Sequence, residues 1–190
     1  NKVTSLPFTE QSHLVELHAE RNSISELEEA FSLNSLAYLN LADNQLKQVD
    51  LCVFQMPLLE TLILSANDLR GIYEENPSRC LNQDRALVPE ECKSALRTLD
   101  MSYNSLTRLH KFFDVFYFPR LEFLGIAHNH VEKLSDNVTT LIANRTFTLN
   151  YSHNYLRCEA YEHLLDPAEC AASGQQRNPE RVASYVLAGL

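Results

Sequence analysis

The sequence predicts an α/β solenoid, a right-handed curved stack of coils with short parallel strands on the concave face and irregular connections on the convex face. Two observations predict it. The motif L-x-x-L-x-L-x-x-N-x-L recurs along residues 1–157, and its fourth and sixth positions alternate as buried side chains do in a strand. An asparagine follows each strand, where the chain must turn. One copy holds too little apolar surface to fold alone, so stacked copies must share a core.

The predicted strands cover residues 17–19, 39–41, 62–64, 99–101 and 124–126, and a degraded sixth copy follows. The asparagines are assigned a structural role, because each side-chain amide can bond backbone groups that stacking would otherwise bury without a partner. These residues are Asn22, Asn44, Asn67, Asn104, Asn129 and Asn154.

The repeat also predicts features away from the strands. Phe8, Phe31 and Phe54 recur on the convex side and are expected to form a stacked apolar spine. Asn1 and Val3 fit the end of a still earlier copy, so the first coil is expected to present an open edge.

One interval between repeats is much longer than the rest. Asn67 and Asn104 are 37 positions apart, whereas the other neighbouring asparagines are 21 to 25 apart. We interpret residues 73–95 as an inserted loop that projects from the stack, either as binding surface or as a tolerated surface loop. The predicted domains are the repeats at residues 1–157, about six and a half copies, and a cysteine cap with a tail at residues 158–190.

Four of the five cysteines form two local pairs. Cys80 with Cys92 would close a loop in the insertion, and Cys158 with Cys170 would close the end of the stack. Each disulfide would stabilise the fold by roughly 3 kcal/mol and implies an oxidising compartment. Zinc is the competing interpretation, but no C-x-x-C pair occurs.

Cys52 is left over once these two pairs are assigned. Three interpretations are open: a thiol at a small buried position, an intermolecular disulfide, or a disulfide with Cys80 from the next coil.

Three glycosylation sequons favour secretion. They begin at Asn137, Asn144 and Asn150, and a glycan on Asn150 would block one end of the concave face. The protein is therefore expected to be extracellular, either secreted or part of a receptor ectodomain.

Composition excludes several function classes. The net charge of -9 argues against binding a phosphate backbone. No apolar run approaches the length that spans a bilayer. With no G-x-S-x-G motif and only 4 glycines, nothing predicts catalytic residues or a phosphate-cradling loop. We expect no enzyme activity and no cofactor.

Candidate binding residues are the side chains that the repeat directs to the concave face, because exposed aromatic and apolar anchors tend to contribute most to interfaces. The expected partner surface combines the inserted loop with a central patch of Ile63, Thr98 and Asp100 that lies beside it. The full candidate set is Tyr38, Asn40, Ile63, Thr98, Asp100, Phe123 and His128.

Three histidines raise the question of a metal. His128, His130 and His153 come close together in adjacent coils, but no carboxylate or thiolate is placed to complete a site. We interpret them as surface histidines and predict no metal site.

The repeats, the sequons and the segment from Asn154 through Cys158 to Cys170 resemble extracellular leucine-rich-repeat proteins. The chain is similar to Toll-type receptor ectodomains and to the secreted leucine-rich immune proteins of mosquitoes. It departs from the mosquito proteins because residues 171–190 contain no heptads and no further cysteine. The resemblance implies innate-immune recognition, or scaffolding of a complement-like partner. The expected partner is a protein, either an immune effector or another subunit of a homo- or hetero-oligomer.

Two functions follow as hypotheses. The first is an extracellular, non-catalytic recognition module that binds a protein partner. The alternative is a structural, scaffold or adhesion protein, or a receptor fragment in development or signalling. Thiol counting under denaturing conditions separates a disulfide-bonded extracellular protein from an intracellular scaffold, because the former would show one thiol and the latter five.

Overall fold

The computed structural model describes residues 2–6, 13–27, 33–73, 93–109, 113, 116–143 and 148–157. Within these ranges the chain forms eight strands of three residues each and one α-helix. In chain order these elements are β1 (Glu16–His18), β2 (Tyr38–Asn40), β3 (Gln48–Asp50), β4 (Thr61–Ile63), β5 (Gly71–Tyr73), β6 (Thr98–Asp100), β7 (Phe123–Gly125), α1 (Asp136–Ala143) and β8 (Thr148–Asn150).

The main sheet is parallel and follows the repeats. Its strand order is β1-β2-β4-β6-β7-β8, and every strand pairs with the next copy of the motif in the same register. Leu39, for example, lies opposite Leu17 on one side and Leu62 on the other. Equivalent residues therefore form rows along the stack, which confirms the predicted leucine-rich solenoid.

The strands begin and end one residue earlier than predicted. Each covers the third to fifth motif positions rather than the fourth to sixth. The sixth residue still donates across the sheet, as Leu41 N does to Ile63 O at 2.8 Å. Its carbonyl accepts instead from asparagine amides, since Leu41 O is bonded by Asn44 and Asn67. Each strand therefore ends just before the residue whose carbonyl accepts hydrogen bonds from asparagine side chains instead of from the backbone N–H of a neighbouring strand.

The core consists of the motif leucines stacked along the solenoid. Leu39, Leu62, Leu99 and Leu124 occupy the same position in four successive coils and are fully buried. They belong to one hydrophobic cluster that runs through the described coils. Each coil covers the apolar surface of the next, which is why the stack is stable when a single coil would not be.

The convex side contains more regular structure than the irregular connections that we predicted. Strands β3 and β5 form a second parallel sheet. A 3-10 helix at Leu51–Gln55 follows β3, and the carboxylate of Asp50 caps it by accepting from Cys52 N at 2.7 Å. In the last connection Asp136 begins helix α1, so helical and strand segments alternate with irregular backbone.

A buried aromatic cluster lies within the convex side. Phe54 contacts Phe113 and Phe118 edge-on at centroid distances of 6.0 and 6.4 Å, and the last two stack at 5.1 Å. Phe8 and Phe31 of the predicted spine lie outside the described residues. Phe54 is buried, which is consistent with its interpretation as part of the convex core. Its described aromatic partners, Phe113 and Phe118, were not among the residues predicted to form the spine.

At the N-terminal end, residues 2–6 pack on the turns of the first described coil. Val3 N donates to the Asn22 Oδ1 at 3.1 Å, and Ser23 N donates to Val3 O at 2.8 Å. Among the described residues, strand β1 pairs along one edge only, with β2. The open edge of the first coil stays a prediction.

Candidate functional site

The asparagines form a continuous hydrogen-bonded ladder along the turns. The Oδ1 of Asn67 accepts from Leu46 N at 3.0 Å in the preceding coil. Its Nδ2 donates to Leu64 O at 3.0 Å in its own coil and to Leu41 O at 3.0 Å in the preceding one. The ladder holds neighbouring turns at a fixed spacing and so positions the side chains that project from them. The same arrangement recurs at Asn44, Asn104 and Asn129.

The residue before each asparagine has a left-handed backbone. Its φ lies between 53° and 60° in all six described coils, although none of the six is glycine. This conformation costs an L-residue free energy, which the ladder of hydrogen bonds offsets. We call these residues the rim column, because they lie where the concave face meets the turns. They are Arg21, Asp43, Ala66, Tyr103, His128 and His153.

The C-terminal half of the rim column is a stack of aromatic rings. The rings of Tyr103 and His128 lie 4.1 Å apart between centroids, with an interplanar angle of 11°. His128 and His153 are 3.8 Å apart at 16°. A second stack lies two positions further along each coil, where His130 and Tyr155 are 5.8 Å apart at 20°. Of the three histidines singled out from the sequence, His128 and His153 are therefore in contact, whereas His130 stacks on Tyr155 in a separate row.

Sequence reasoning missed the two tyrosines of these stacks. The available signal was position, because Tyr103 occupies the motif position of His128 and His153, and Tyr155 occupies that of His130. A shared position in successive coils places side chains one strand spacing apart, about 4.8 Å, which suits ring stacking.

The stacked geometry also bears on metal binding. Face-to-face rings direct their in-plane nitrogen lone pairs along parallel lines, so the nitrogens of His128 and His153 cannot converge on one ion. Within the described part of the chain, no group of three or more His, Cys, Asp or Glu side chains is arranged to hold a metal.

The stack changes the proton affinity of its central histidine. Burial, followed by the positive charge that His153 can carry, holds the pKa of His128 below its usual value of 6.5. The unfolded chain therefore binds more protons than the folded protein as the pH falls below 6.5. Folding stability contributed by this residue is present above that pH and decreases through it on acidification.

We expect His128→Tyr to remove this part of the pH dependence. Tyrosine is tolerated there, since Tyr103 has an equivalent backbone and ring stack. Urea unfolding at pH 7.5 and 5.5 should show a smaller loss of stability on acidification for the variant than for the wild type. His13→Gln, at an exposed histidine, is the control. An unchanged loss in His128→Tyr would show that His128 does not contribute.

The candidate binding residues of the concave face form two rows. Tyr38 and Phe123 belong to the first row, with Thr98 between them. In the second row Ile63 lies opposite both Asn40 and Asp100. The structure therefore brings Ile63, Thr98 and Asp100 together at the centre of the sheet, where all are half-buried. His128 lies in the rim column instead and is not part of these rows.

Two of these residues also hold the backbone. The side chain of Asn40 accepts from Ala42 N at 3.0 Å, and that of Asp100 accepts from Ser102 N at 2.9 Å. Each bond spans two residues and stabilises the exit from its strand. A Cβ at Gly125 would lie 2.5 Å from the Asp100 carboxylate, so glycine there leaves room for this side chain. Substitutions of Asn40 or Asp100 would therefore alter the fold as well as the surface.

A charged group lies where the chain enters the central strands. Arg97 contacts Glu122 through Nη1 and Oε1 at 2.5 Å, and its Nε lies 3.9 Å from Glu60. All three side chains are about half exposed, so the pairs contribute at most about 1 kcal/mol to stability. Their effect is to fix the orientation of charge beside the concave rows.

The cysteine predictions fall mostly outside the described residues. This holds for Cys80, Cys92, Cys158 and Cys170, for most of the insertion, and for the cap. Cys52 is described, and the interpretation as a small buried position is wrong because the residue is exposed. It is the second residue of the 3-10 helix, with its backbone N–H bonded to the Asp50 carboxylate, while neighbouring Leu51 and Val53 face the core. The intermolecular disulfide and the disulfide with Cys80 both stay predictions.

The three sequons have different surroundings. Asn137 is only 9% exposed, in the first turn of α1, and this burial argues against a glycan because an acceptor amide must be accessible. Asn150 is half-buried in β8 and its Oδ1 accepts from the Ser152 hydroxyl at 3.1 Å. Asn144 lies outside the described residues. Glycosylation of Asn150 and Asn144 stays a prediction.

The fold and its asparagine ladder define a class of repeat solenoid, and comparisons with known proteins place it more closely. The sequence profile of the Leucine Rich Repeat family matches residues 95–116. The comparison with curated proteins returned no match. Together with the fold, the profile match supports a leucine-rich-repeat protein.

Solved structures show the same architecture. A leucine-rich-repeat protein of Leptospira interrogans is 26% identical to this chain, and the two structures align with a TM-score of 0.59. The matched region covers 79% of this chain and 34% of the Leptospira chain. The functional domain of InlJ from Listeria monocytogenes, whose structure includes a cysteine ladder, is 25% identical to this chain, and the two structures align with a TM-score of 0.53. The matched region covers 77% of this chain and 27% of the Listeria chain. The chain thus spans about a third or less of these proteins.

Leucine-rich-repeat domains commonly mediate protein–protein interaction, and the fold family is typically non-catalytic. In the described ranges no helix combines the length and apolar character needed to cross a bilayer.

Proposed function

We propose that this chain is an extracellular recognition module that binds a protein partner through the centre of its concave face and acts in innate immunity. The supporting observation is the in-register central patch, where Ile63 lies directly opposite Asp100 and Thr98 lies opposite Thr61. An apolar side chain flanked by polar groups on a rigid sheet suits a protein interface, in which an apolar centre is surrounded by a polar rim.

The shape of the surface supports a macromolecular partner. Six strands at a spacing of about 4.8 Å form a face about 25 Å long, so several side chains of one partner can contact it at once. The backbone of this face is fixed by the strand ladder and by the asparagine amides. Binding would cost little backbone conformational entropy, because the backbone that carries the contact residues is already ordered.

The extracellular and immune parts of the proposal have a separate basis. Two local cysteine pairs and the sequons at Asn144 and Asn150 are typical of an oxidising, glycosylating compartment. The resemblance of the repeats to Toll-type ectodomains and mosquito immune proteins favours recognition in immunity. Thiol titration of the denatured native protein tests the compartment: one thiol is expected, and five would support an intracellular scaffold instead.

Partner binding is tested by Ile63→Glu, which introduces a charge at the centre of the concave patch. The partner is first captured from the native extracellular fluid and identified by mass spectrometry, and its affinity is then measured by calorimetry. We expect the variant to bind about tenfold or more weakly, because burying an unpaired carboxylate is costly.

The matched control is Leu58→Glu, which adds the same charge at a side chain that is 55% exposed and lies outside the strand rows. It should leave affinity unchanged. Equal affinity of the Ile63 variant and the wild type, with both folded by circular dichroism, would place the binding surface elsewhere.

A further inference from the structure

The aromatic stack of the rim column ends at Tyr103, because the next residue of the column is Ala66. Tyr103 has His128 against one face. Because equivalent residues of successive coils form the column, its other face is directed toward the coil of Ala66. Ala66 is exposed and has no ring to offer, and Tyr103 remains 57% exposed. The methyl group of Ala66 therefore forms the floor of an open slot.

The far side of this slot is acidic. Asp43 precedes Ala66 in the rim column, and its side chain is exposed. Within the described ranges its carboxylate takes part in none of the ion pairs. Asp43 and Tyr103 are two coils apart, a separation of about 10 Å. That leaves room for one planar group against Tyr103, stacked as His128 is at 4.1 Å on the opposite face.

The backbone of the slot is rigid and matches that of the stack. Ala66 has a φ of 55° and Tyr103 a φ of 56°, so their side chains leave the turns in the same way. Ala66 N donates to Ser102 O at 3.0 Å, and Asp43 N donates to Ser65 O at 2.9 Å. The three coils that form the slot are therefore held at fixed spacing before any ligand binds.

We propose that this slot, with Tyr103 as wall, Ala66 as floor and Asp43 as counter-charge, binds an arginine side chain of a protein partner. A guanidinium is planar and stacks on aromatic faces, and its positive charge is attracted by the Asp43 carboxylate on the far side of the slot. A lysine ammonium cannot stack as a plane, and an aromatic side chain gains nothing from Asp43. The net charge of -9 further favours a basic segment.

This inference rests on the proposed function only in taking the partner to be a protein. It adds a second contact at the rim of the concave face and states the chemistry of the group bound there. The slot and the central patch are tested by different probes, so either can fail alone.

The probe is the peptide acetyl-Gly-Arg-Gly-amide, compared with the same peptide carrying lysine or citrulline. Chemical shifts of the Tyr103 ring and of the Ala66 and Asp43 amides are followed by NMR during titration. Saturable shifts are expected with the arginine peptide. The citrulline peptide, which is planar but uncharged, should bind about two- to fivefold more weakly. Equal shifts with citrulline would overturn the proposal, because charge would not matter.

Two variants and one control complete the test. Ala66→Tyr fills the slot with a ring, and Tyr103 shows that this backbone accepts tyrosine. It should abolish the arginine shifts while leaving the melting temperature at least as high. Asp43→Asn should weaken binding about two- to fivefold. Glu132→Gln, which removes an exposed carboxylate outside the rim column, should leave the shifts unchanged.

Persistence of the arginine shifts in Ala66→Tyr would overturn the slot. The concave variant Ile63→Glu separates the two proposals. If Ile63→Glu retains the arginine-induced shifts but loses partner binding, both the slot and the central patch are supported. If the wild type shows no arginine-induced shifts, only the slot is refuted.

Discussion

Replacement of Asn104 by alanine is expected to lower the free energy of unfolding by about 3 kcal/mol. Its Oδ1 accepts from Leu69 N at 2.9 Å, and its Nδ2 donates to Leu64 O and Met101 O at 3.0 Å each. The side chain is only 6% exposed, so water cannot replace these bonds. The N–H of Leu69 would be left buried without an acceptor, which is the main cost.

Asn22 provides the matched control. It lies at the end of the described stack, where its Nδ2 donates only within its own turn, to Ala19 O and Glu20 O, and its Oδ1 accepts from Val3 N at an exposed position. Asn22→Ala should therefore destabilise the protein by less than half as much. Urea melts of the two variants and the wild type, followed by circular dichroism, measure the difference. Equal effects at both positions would mean that burial of the ladder does not determine its contribution.

The second large effect is expected for Leu99→Ala, which should destabilise the fold by about 2–5 kcal/mol. Leu99 has no exposed surface and lies in the interior strand β6, between Leu62 and Leu124. Coils on both sides hold the surrounding leucines in register, so the cavity cannot easily collapse. The loss combines the transfer free energy of the removed atoms with the cost of the cavity.

Leu58→Ala is the control for this change, because that leucine is 55% exposed. It should change the stability by no more than about 0.5 kcal/mol. Unfolding of Leu99→Ala should also remain cooperative, since the defect lies inside a shared core. A Leu99 variant within 0.5 kcal/mol of the wild type would contradict the assignment of this leucine to the core.

The parts of the fold that could be predicted are those that depend on local periodicity. Leu62 and Leu99 recur at one motif position, and that alone implies that they point to one side of neighbouring strands. The same argument placed Ile63, Thr98 and Asp100 on the opposite, concave side. Strand ends were less predictable, because the end of each strand depends on which group bonds a carbonyl such as that of Leu41.

Several features depend on contacts that no local pattern specifies. The sequence spacing of Cys52 relative to Phe54 favoured burial, yet the cap by Asp50 directs the short helix so that Cys52 is exposed. Asn137 matches a surface sequon but is buried in the first turn of α1. In both cases the packing of a convex connection, which varies from coil to coil, decides the exposure.

The sequence by itself determined the solenoid, the register of its strands and the residues that share each row. The physical reason is that stacking requires each coil to present the same apolar positions to its neighbours. Only the tertiary structure decided how the rim side chains interact: that Tyr103, His128 and His153 stack as rings while Ala66 leaves a slot beside Asp43. Those contacts depend on the spacing between coils and on the left-handed backbone before each asparagine. Both arise when the coils are assembled, because a single turn has no neighbour to set them.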